Sequence, residues 1–469
     1  MLLWMISALL SAAAFTTDIG PSLESVMDAK KLKGACQSYF TRPNKYNEVL
    51  CGKSIFFNLE TRTDLGIPNQ MLKQMKKTFP KEFNKVGFYK NPLNPAELLG
   101  VVKVKPLYPY KAKELMTLND IRQISCAGCH VGQLPDGRWS VGYPNYNLNV
   151  GQLNILFTFS LWLADSEKYN TQKWFKPLIN KYNRMKKTIF QRPWDSWMML
   201  ASYLPGKFKQ TDFFFRFLEQ DPPSMGDQVS FIYGKPGIYN AASPIINFAN
   251  REFYTTPPQI WDMNHKTDKE EAYLGTITSV HNLESFIKHA FAYTNLTHIY
   301  SVDKYVKPLA TYLRSLKTPM YKGYIDQEKA KRGKVEFQNN CMSCHDGRNG
   351  ASTIRHPVET VNSPSQIDSI FLDYTKPTQQ SRKLMESLQK AVPFEPLTYG
   401  IKARRLNGIW SKKAIMTNGS IKSLDHLFCL NGKTRAATLR SAHTQYVHQD
   451  LCHYSLESRE NLKNYLLTL

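Results

Sequence analysis

Apolar positions recur at helical spacing in only a few stretches of this chain. Val306–Leu316 (VKPLATYLRSL) is amphipathic, and Lys317-Thr318-Pro319 follows it as a stop signal. Asn461–Leu469 (NLKNYLLTL) repeats the pattern. Tyr312-Leu313-Arg314-Ser315-Leu316 and Tyr465-Leu466-Leu467-Thr468-Leu469 look like one element used twice. Ile325–Asn339 (IDQEKAKRGKVEFQN) predicts a helix ahead of the second half. Glu114–Ile124 predicts another ahead of residue 126, and Asn69–Thr78 a short one. Leu153–Ala164, Glu167–Met185 (broken at Pro177) and Trp194–Tyr203 read as further helices. Residues 19 to about 110 carry Pro, Gly, Lys and aromatics without long periodic runs, which predicts a loop-rich wrap. Gly132–Gly151, rich in Gly, Pro and Asn, reads as irregular structure.

At the start, Leu2–Phe15 is an apolar run too short to span a bilayer as a mature helix. Small residues at Ser11, Ala12, Ala13 and Ala14 fit an export signal cut near Ala14, although a basic leading segment is missing. The alternative is a buried or anchoring N-terminal helix. No later stretch is long and apolar enough to be a membrane span, so the mature chain is expected to be soluble.

The chain's 469 residues suffice for two or three domains. Hydrophobic content of 42% with 12% aromatics argues against overall disorder. The net charge of +23 points to an acidic redox partner or to loose association with an anionic envelope surface. Nucleic acid is not expected, because the lysines are scattered and no nucleic-acid motif accompanies them.

Chemistry enters with Cys126-Ala127-Gly128-Cys129-His130 and Cys341-Met342-Ser343-Cys344-His345. Both read C-x-x-C-H, the attachment signature of c-type haem. Two thiols on one helical turn can add across the two vinyl groups of one porphyrin. The next residue then carries an imidazole to the proximal side of the iron. With 8 Cys and 11 His in the chain, one chance match has a likelihood on the order of 0.3%. A redox C-x-x-C or half of a zinc site is the competing reading, but neither motif has a second ligand pair nearby. The implied cofactors are two covalently bound haem c, ligated by His130 and His345. Because c-type haem is attached outside the cytoplasmic membrane in bacteria, a periplasmic or secreted location follows.

The remaining cysteines, Cys36, Cys51, Cys429 and Cys452, suggest two disulfides in an oxidising compartment, and local pairing gives Cys36–Cys51 and Cys429–Cys452. Free buried thiols are the alternative. No histidine lies between His130 and His265, and the nearest Met after the first motif is Met185, so an open or weakly ligated first iron is expected. For the second iron, His356, His426, His443, His448, His453 and Met416 are candidates. His ligation gives a low-potential haem and Met ligation a higher potential.

Ser125–Gln133 (SCAGCHVGQ), Pro236–Ala241 (PGIYNA), Pro257–Asp262 (PPQIWD), Lys402–Trp410 (KARRLNGIW), Asn418-Gly419-Ser420 and His448–Leu469 together resemble the bacterial di-haem cytochrome c peroxidase superfamily. They are most similar to its branch of rubber-oxygenase-like di-haem proteins. The resemblance covers roughly residues 115 to 469. It implies a mainly α fold of two cytochrome c-like haem domains, with long loop-rich insertions and an N-terminal extension. The boundaries are then 1–18 export signal, 19–110 extension, 111–318 first domain and 319–469 second domain. In such domains a terminal helix packs on the helix preceding the haem.

The resemblance further implies that the first haem acts on the oxidant, H2O2 or O2, and the second relays electrons. His448 becomes the distal ligand of a bis-His second haem. Trp261 becomes an aromatic between or beside the haems. The branch's Arg and Asp in the Pro236–Ala241 segment are here Ile238 and Asn240, and the His before Asn418 is Thr417. His265, His281 and Glu271 are candidates for the missing acid–base group. The expected function is an exported di-haem oxidoreductase of peroxidase type, fed by an electron-donor protein such as an acidic small cytochrome. Two alternatives stand beside it. One is an oxygenase cleaving an apolar substrate over the first haem, lined by Phe213, Phe214, Phe215, Phe217 and Tyr233. The other is an electron carrier with both irons closed.

Overall fold

The computed structural model describes residues 18–59, 67–78, 80–104, 120–149, 234–235, 238–240, 254–255, 257–263, 270–273, 277–280, 283–284, 287–288, 296–342, 345, 394–397, 405–415, 421–432 and 448–469. Helix is the main regular structure among them, and the strands are two to five residues long. No helix among the described residues is long and apolar enough to cross a membrane. The expected helices at Leu153–Ala164, Glu167–Met185 and Trp194–Tyr203 lie outside the described residues.

Two helix pairs carry the frame. Helix α1 (Lys45–Asn58) packs along α2 (Leu296–Ser315), and α3 (Gln327–Asn340) packs along α4 (Leu456–Leu467). The starts of α1, α3 and α4 are capped by a side chain that accepts free main-chain N–H groups. Asn44 Oδ1 accepts from Asn47 N at 2.9 Å, Asp326 Oδ1 from Lys329 N at 3.0 Å, and Ser455 Oγ from Ser458 N at 3.1 Å.

The pairs cross at glycines. A Cβ on Gly52 would lie 2.0 Å from the Pro308 carbonyl oxygen, and one on Gly333 would lie 2.0 Å from that of Asn461. Four residues after each glycine a phenylalanine meets the tyrosine of the repeated terminal element. Phe56 packs on Tyr312 with ring centroids 5.7 Å apart, and Phe337 on Tyr465 at 5.2 Å. The sequence repeats with the geometry: Gly52-Lys53-Ser54-Ile55-Phe56 and Gly333-Lys334-Val335-Glu336-Phe337.

The partner of α2 differs from expectation. Glu114–Ile124 was expected to be the helix before the first motif, but Ile121–Ile124 is a strand paired antiparallel with Val101–Val104. The helix that packs on α2 is α1, about seventy residues upstream of Cys126. Residues 19–59 are largely helical rather than a loop-rich wrap, and Leu23, Val26, Phe56 and Phe57 share one core with Ala127, Tyr143, Trp261 and Leu309. The N-terminal stretch is therefore built into the first unit. Buried polar contacts fasten it there. Asp18 accepts from Tyr312 Oη at 2.7 Å and pairs with Lys53 at 3.0 Å, and Glu48 accepts from Thr311 Oγ1 at 2.8 Å. Asn69–Thr78 is a helix as expected.

Gly132–Gly151 is not wholly irregular. Val131–Gln133 and Trp139–Val141 form a hairpin, to which Ile19–Gly20 adds a third strand. The second core, with Phe337, Ile409, Leu427, Phe428, Leu462 and Tyr465, surrounds α3 and α4. The disulfides Cys36–Cys51 and Cys429–Cys452 are formed, as local pairing predicts.

Gly→Ala in an open helix stabilises by about 1 kcal/mol. Here the new methyl group would meet a carbonyl in the facing backbone. Gly52→Ala and Gly333→Ala should each destabilise instead, by about 1–3 kcal/mol. Chemical denaturation of the two variants checks this, and a gain in stability at either would contradict the crossing.

Candidate functional site

The first C-x-x-C-H folds as a short helical turn, Cys126–His130, entered from the strand Ile121–Ile124 through extended Ser125. Ser125 Oγ donates to the Phe57 carbonyl at 2.9 Å, tying the turn to the end of α1, and Ser125 N donates to Gly100 O at 2.7 Å. Gly100 has φ +73°, and a Cβ there would come within 2.1 Å of Gly128 N, so two backbones meet with no room for a side chain. The loop after the hairpin closes the other end. Gly142 N donates to His130 O at 2.8 Å, Asn145 N to Cys129 O at 2.8 Å, and Asn145 Nδ2 to Gly128 O at 3.3 Å. Main chain and Asn145 thus bind the carbonyls of Gly128, Cys129 and His130, and the turn is held without using its three functional side chains.

Cys126 and Cys129 are half-buried free thiols. Burial pushes Cys126 up to about 12, with Cys129 beside it adding to the rise, and pushes Cys129 up to about 11. This is the reverse of what a redox C-x-x-C needs, since it works through a lowered thiol pKa. It suits sulfurs that end as uncharged thioethers. Burial likewise pulls the His130 imidazole down to about 4, against which the main chain of Pro258 acts. Its Nδ1 is buried and makes no hydrogen bond. The ring is therefore neutral at pH 7, the form that ligates a metal.

The second motif continues α3. Cys341 N and Met342 N donate to Phe337 O at 2.8 and 3.0 Å, and His345 N to Cys341 O at 2.8 Å. Cys341 is half-buried, whereas Cys344 lies outside the described residues. The His345 ring lies 6.5 Å from Phe337, the residue that also packs on Tyr465. Opposite it stands His448, with ring centroids 6.2 Å apart and planes inclined by 39°. Two imidazoles sharing one metal, each at a metal–nitrogen distance of about 2.0–2.1 Å, would place their centroids roughly 6.3 Å apart. Cys341, His345 and His448 thus fit a haem iron ligated on both faces. Among the described residues no imidazole stands opposite His130 in this way.

The other candidates divide clearly. His426 is committed locally: its Nδ1 accepts from Lys422 N at 3.3 Å and its N–H caps on Ser423 Oγ at 3.2 Å. His453 is exposed at the end of the short helix Gln449–His453. His265, His281, His356, His443, Met185, Met416 and the aromatics Phe213, Phe214, Phe215, Phe217 and Tyr233 lie outside the described residues. Glu271 lies on the strand Glu270–Tyr273.

Trp261 is 1% exposed and sits where the two halves meet. Its Nε1 donates to Val141 O at 2.7 Å, and its ring stacks on Tyr143 at 5.7 Å with planes 13° apart. Cβ atoms built on Gly142 (φ +86°) and Gly408 (φ +64°) would come within 2.5 and 2.6 Å of the indole, so one glycine from each half makes room for it. Tyr143 Oη donates to Ser411 O, and burial raises its phenol well above the ordinary value. Gln259 Nε2 adds bonds to Gly408 O at 3.1 Å and Ser411 Oγ at 3.2 Å.

The extended segment Pro257–Met263 therefore touches His130 through Pro258 and the second half through Gln259 and Trp261. Ile260 N donates to Gly142 O at 3.0 Å and Asp262 N to Leu316 O at 2.8 Å, which anchor it to the first unit. Reading the sequence alone singled out Trp261, and Pro258 only within the Pro257–Asp262 segment, but missed Tyr143 and Asn145. No motif marks them; only the burial of a Tyr and an Asn between glycines shows their part.

With haem c bound at the second turn, replacing His448 by Ala would remove a low-spin bis-imidazole signal from the electron paramagnetic resonance spectrum. His426→Ala and His453→Ala should leave it unchanged. Loss of that signal in either of the latter two would move the ligand assignment.

No protein-family model matches the chain, and no curated protein matches it.

Proposed function

We propose that this chain is an exported di-haem c-type cytochrome of the cytochrome c peroxidase superfamily, acting as an oxidoreductase on H2O2 or O2. The observation that carries the reading is the asymmetry between the two C-x-x-C-H turns. His345 faces a second imidazole, His448, and His130 faces none among the described residues. Haem c, when bound, supplies one-electron redox chemistry and, where one face of the iron is open, a place for the oxidant.

The chain's own residues would do the rest. Cys126 and Cys129 hold the first group, and Cys341 and Cys344 the second. His130 is kept neutral by burial, and the His345 and His448 rings stand 6.2 Å apart. Trp261 and Tyr143, stacked at the junction of the halves, exclude water and offer an aromatic path for electrons arriving from the second unit. The helix pairs α1–α2 and α3–α4, each crossing at Gly-Lys-x-x-Phe, support two cytochrome c-like units. The first of them includes residues assigned from sequence to an extension. Two disulfides fit an oxidising compartment outside the cytoplasm. A net charge of +23 fits an acidic electron-donor protein, whose association would weaken with salt.

The holoprotein, supplied with H2O2 and a reduced acidic small cytochrome, should turn over. Replacing Cys126 and Cys129 together by Ala should abolish turnover while leaving the bis-imidazole signal of the second haem. Trp261→Phe should lower kcat at least about tenfold, a barrier increase of about 1.4 kcal/mol, with little change in the KM for peroxide. Full activity in Trp261→Phe would remove the indole from the electron path. Inertness of the wild-type protein toward peroxide, with both haems in place, would remove the peroxidase reading.

A further inference from the structure

His448 stands at the start of the described stretch 448–469. It is the residue before the short helix Gln449–His453, whose Leu451 N donates to His448 O at 3.3 Å. Its imidazole stands 6.2 Å from that of His345. Four residues on, Cys452 is joined to Cys429.

Cys429 is unusually well fixed. It follows the helix Leu424–Leu427, which Ser423 caps, and it takes the left-handed conformation with φ +52°. Leu430 N donates to Asp425 O at 2.8 Å, closing the turn, and Asp425 pairs with Lys463 of α4 at 2.6 Å. From α4 again, Arg459 Nη1 donates to Phe428 O at 3.1 Å and to Cys429 O at 2.9 Å. Phe428 and Leu430 are buried in the second core, against which Leu451 and Tyr454, on either side of Cys452, also pack. The route from α4 to the imidazole therefore runs through Arg459, the Cys429 turn, the disulfide and Cys452.

We propose that the Cys429–Cys452 disulfide, anchored to α4 by Arg459, is the positioning element that holds His448 opposite His345. Removing it would free the distal imidazole of the second haem while His345 stays in place on α3. This rests on the haem reading above. Cys36–Cys51 has no such part, since it staples α1 to the preceding helix Ala35–Thr41 in the first unit.

The test is the oxidised holoprotein carrying Cys429→Ser and Cys452→Ser, read by electron paramagnetic resonance and visible absorption beside wild type, His448→Ala and Cys36→Ser/Cys51→Ser. The expected result is loss of most of the bis-imidazole signal, as in His448→Ala, with a rise in the midpoint potential of the second haem and recovery of the signal on adding free imidazole. The Cys36→Ser/Cys51→Ser protein should keep the wild-type signal. Rescue by imidazole separates a displaced ligand from a collapsed domain, which free imidazole would not restore. Should the double variant fail to accumulate, Arg459→Gln, which loosens the Cys429 turn with the disulfide intact, should show a partial loss that imidazole also reverses. A full bis-imidazole signal in the double variant, or in Arg459→Gln where that is the variant read, would overturn the proposal. A wild-type protein with no covalent haem, or with no bis-imidazole signal at all, would instead overturn the functional reading beneath it.

Discussion

A glycine set against a carbonyl, used twice, holds this structure in register. Gly52 meets Pro308 and Gly333 meets Asn461 at a distance that admits no Cβ, so α1 can lie on α2, and α3 on α4, only as close as bare backbone allows. That closeness brings Phe56 to Tyr312 and Phe337 to Tyr465. It also sets the two C-x-x-C-H turns. Phe57 at the end of α1 receives Ser125, and Phe337 of α3 receives the main chain of Cys341 and Met342 and packs beside His345. The frame and the proposed cofactor sites are thus one construction rather than a scaffold with sites added.

The join between the halves follows the same economy. Pro257–Met263 is a single extended segment, yet its main chain reaches His130 and its side chains reach Gly408 and Ser411. Trp261 fills the space left by Gly142 and Gly408, and Tyr143 stacks on it. The groups at and beside the first turn are held neutral by burial: the thiols, the imidazole and the Tyr143 phenol. A buried charge would cost several kcal/mol without a partner, so a neutral site is the stable one for an apolar macrocycle.

Much of this was legible from sequence because the chemistry demands fixed spacing. C-x-x-C-H names its own residues, and local pairing of four cysteines leaves little choice. His448 became legible only through a resemblance, since spacing could not separate it from His426 or His453. The recurrence of Tyr-Leu-x-x-Leu showed α2 and α4. The failure was α1. It buries Glu48 and Lys53 along with Val49, Ile55, Phe56 and Phe57, so no clean polar face betrays the helix. Its signal was the Gly-Lys-x-x-Phe repeat, which periodicity does not detect. Ile121–Ile124 misled in the opposite direction. A four-residue strand gains its identity from Val101–Val104 across the ladder, a contact that no local window contains.

The proposal stands on one haem iron held between His345 and His448 and another that, among the described residues, has His130 alone. The most direct measurement is the spin state of each haem in the oxidised holoprotein, by electron paramagnetic resonance together with a count of covalent haem per chain. Two haems per chain, one low-spin with bis-imidazole character and one high-spin, is the predicted result. Two low-spin haems would leave an electron carrier in place of an enzyme and would contradict the central claim.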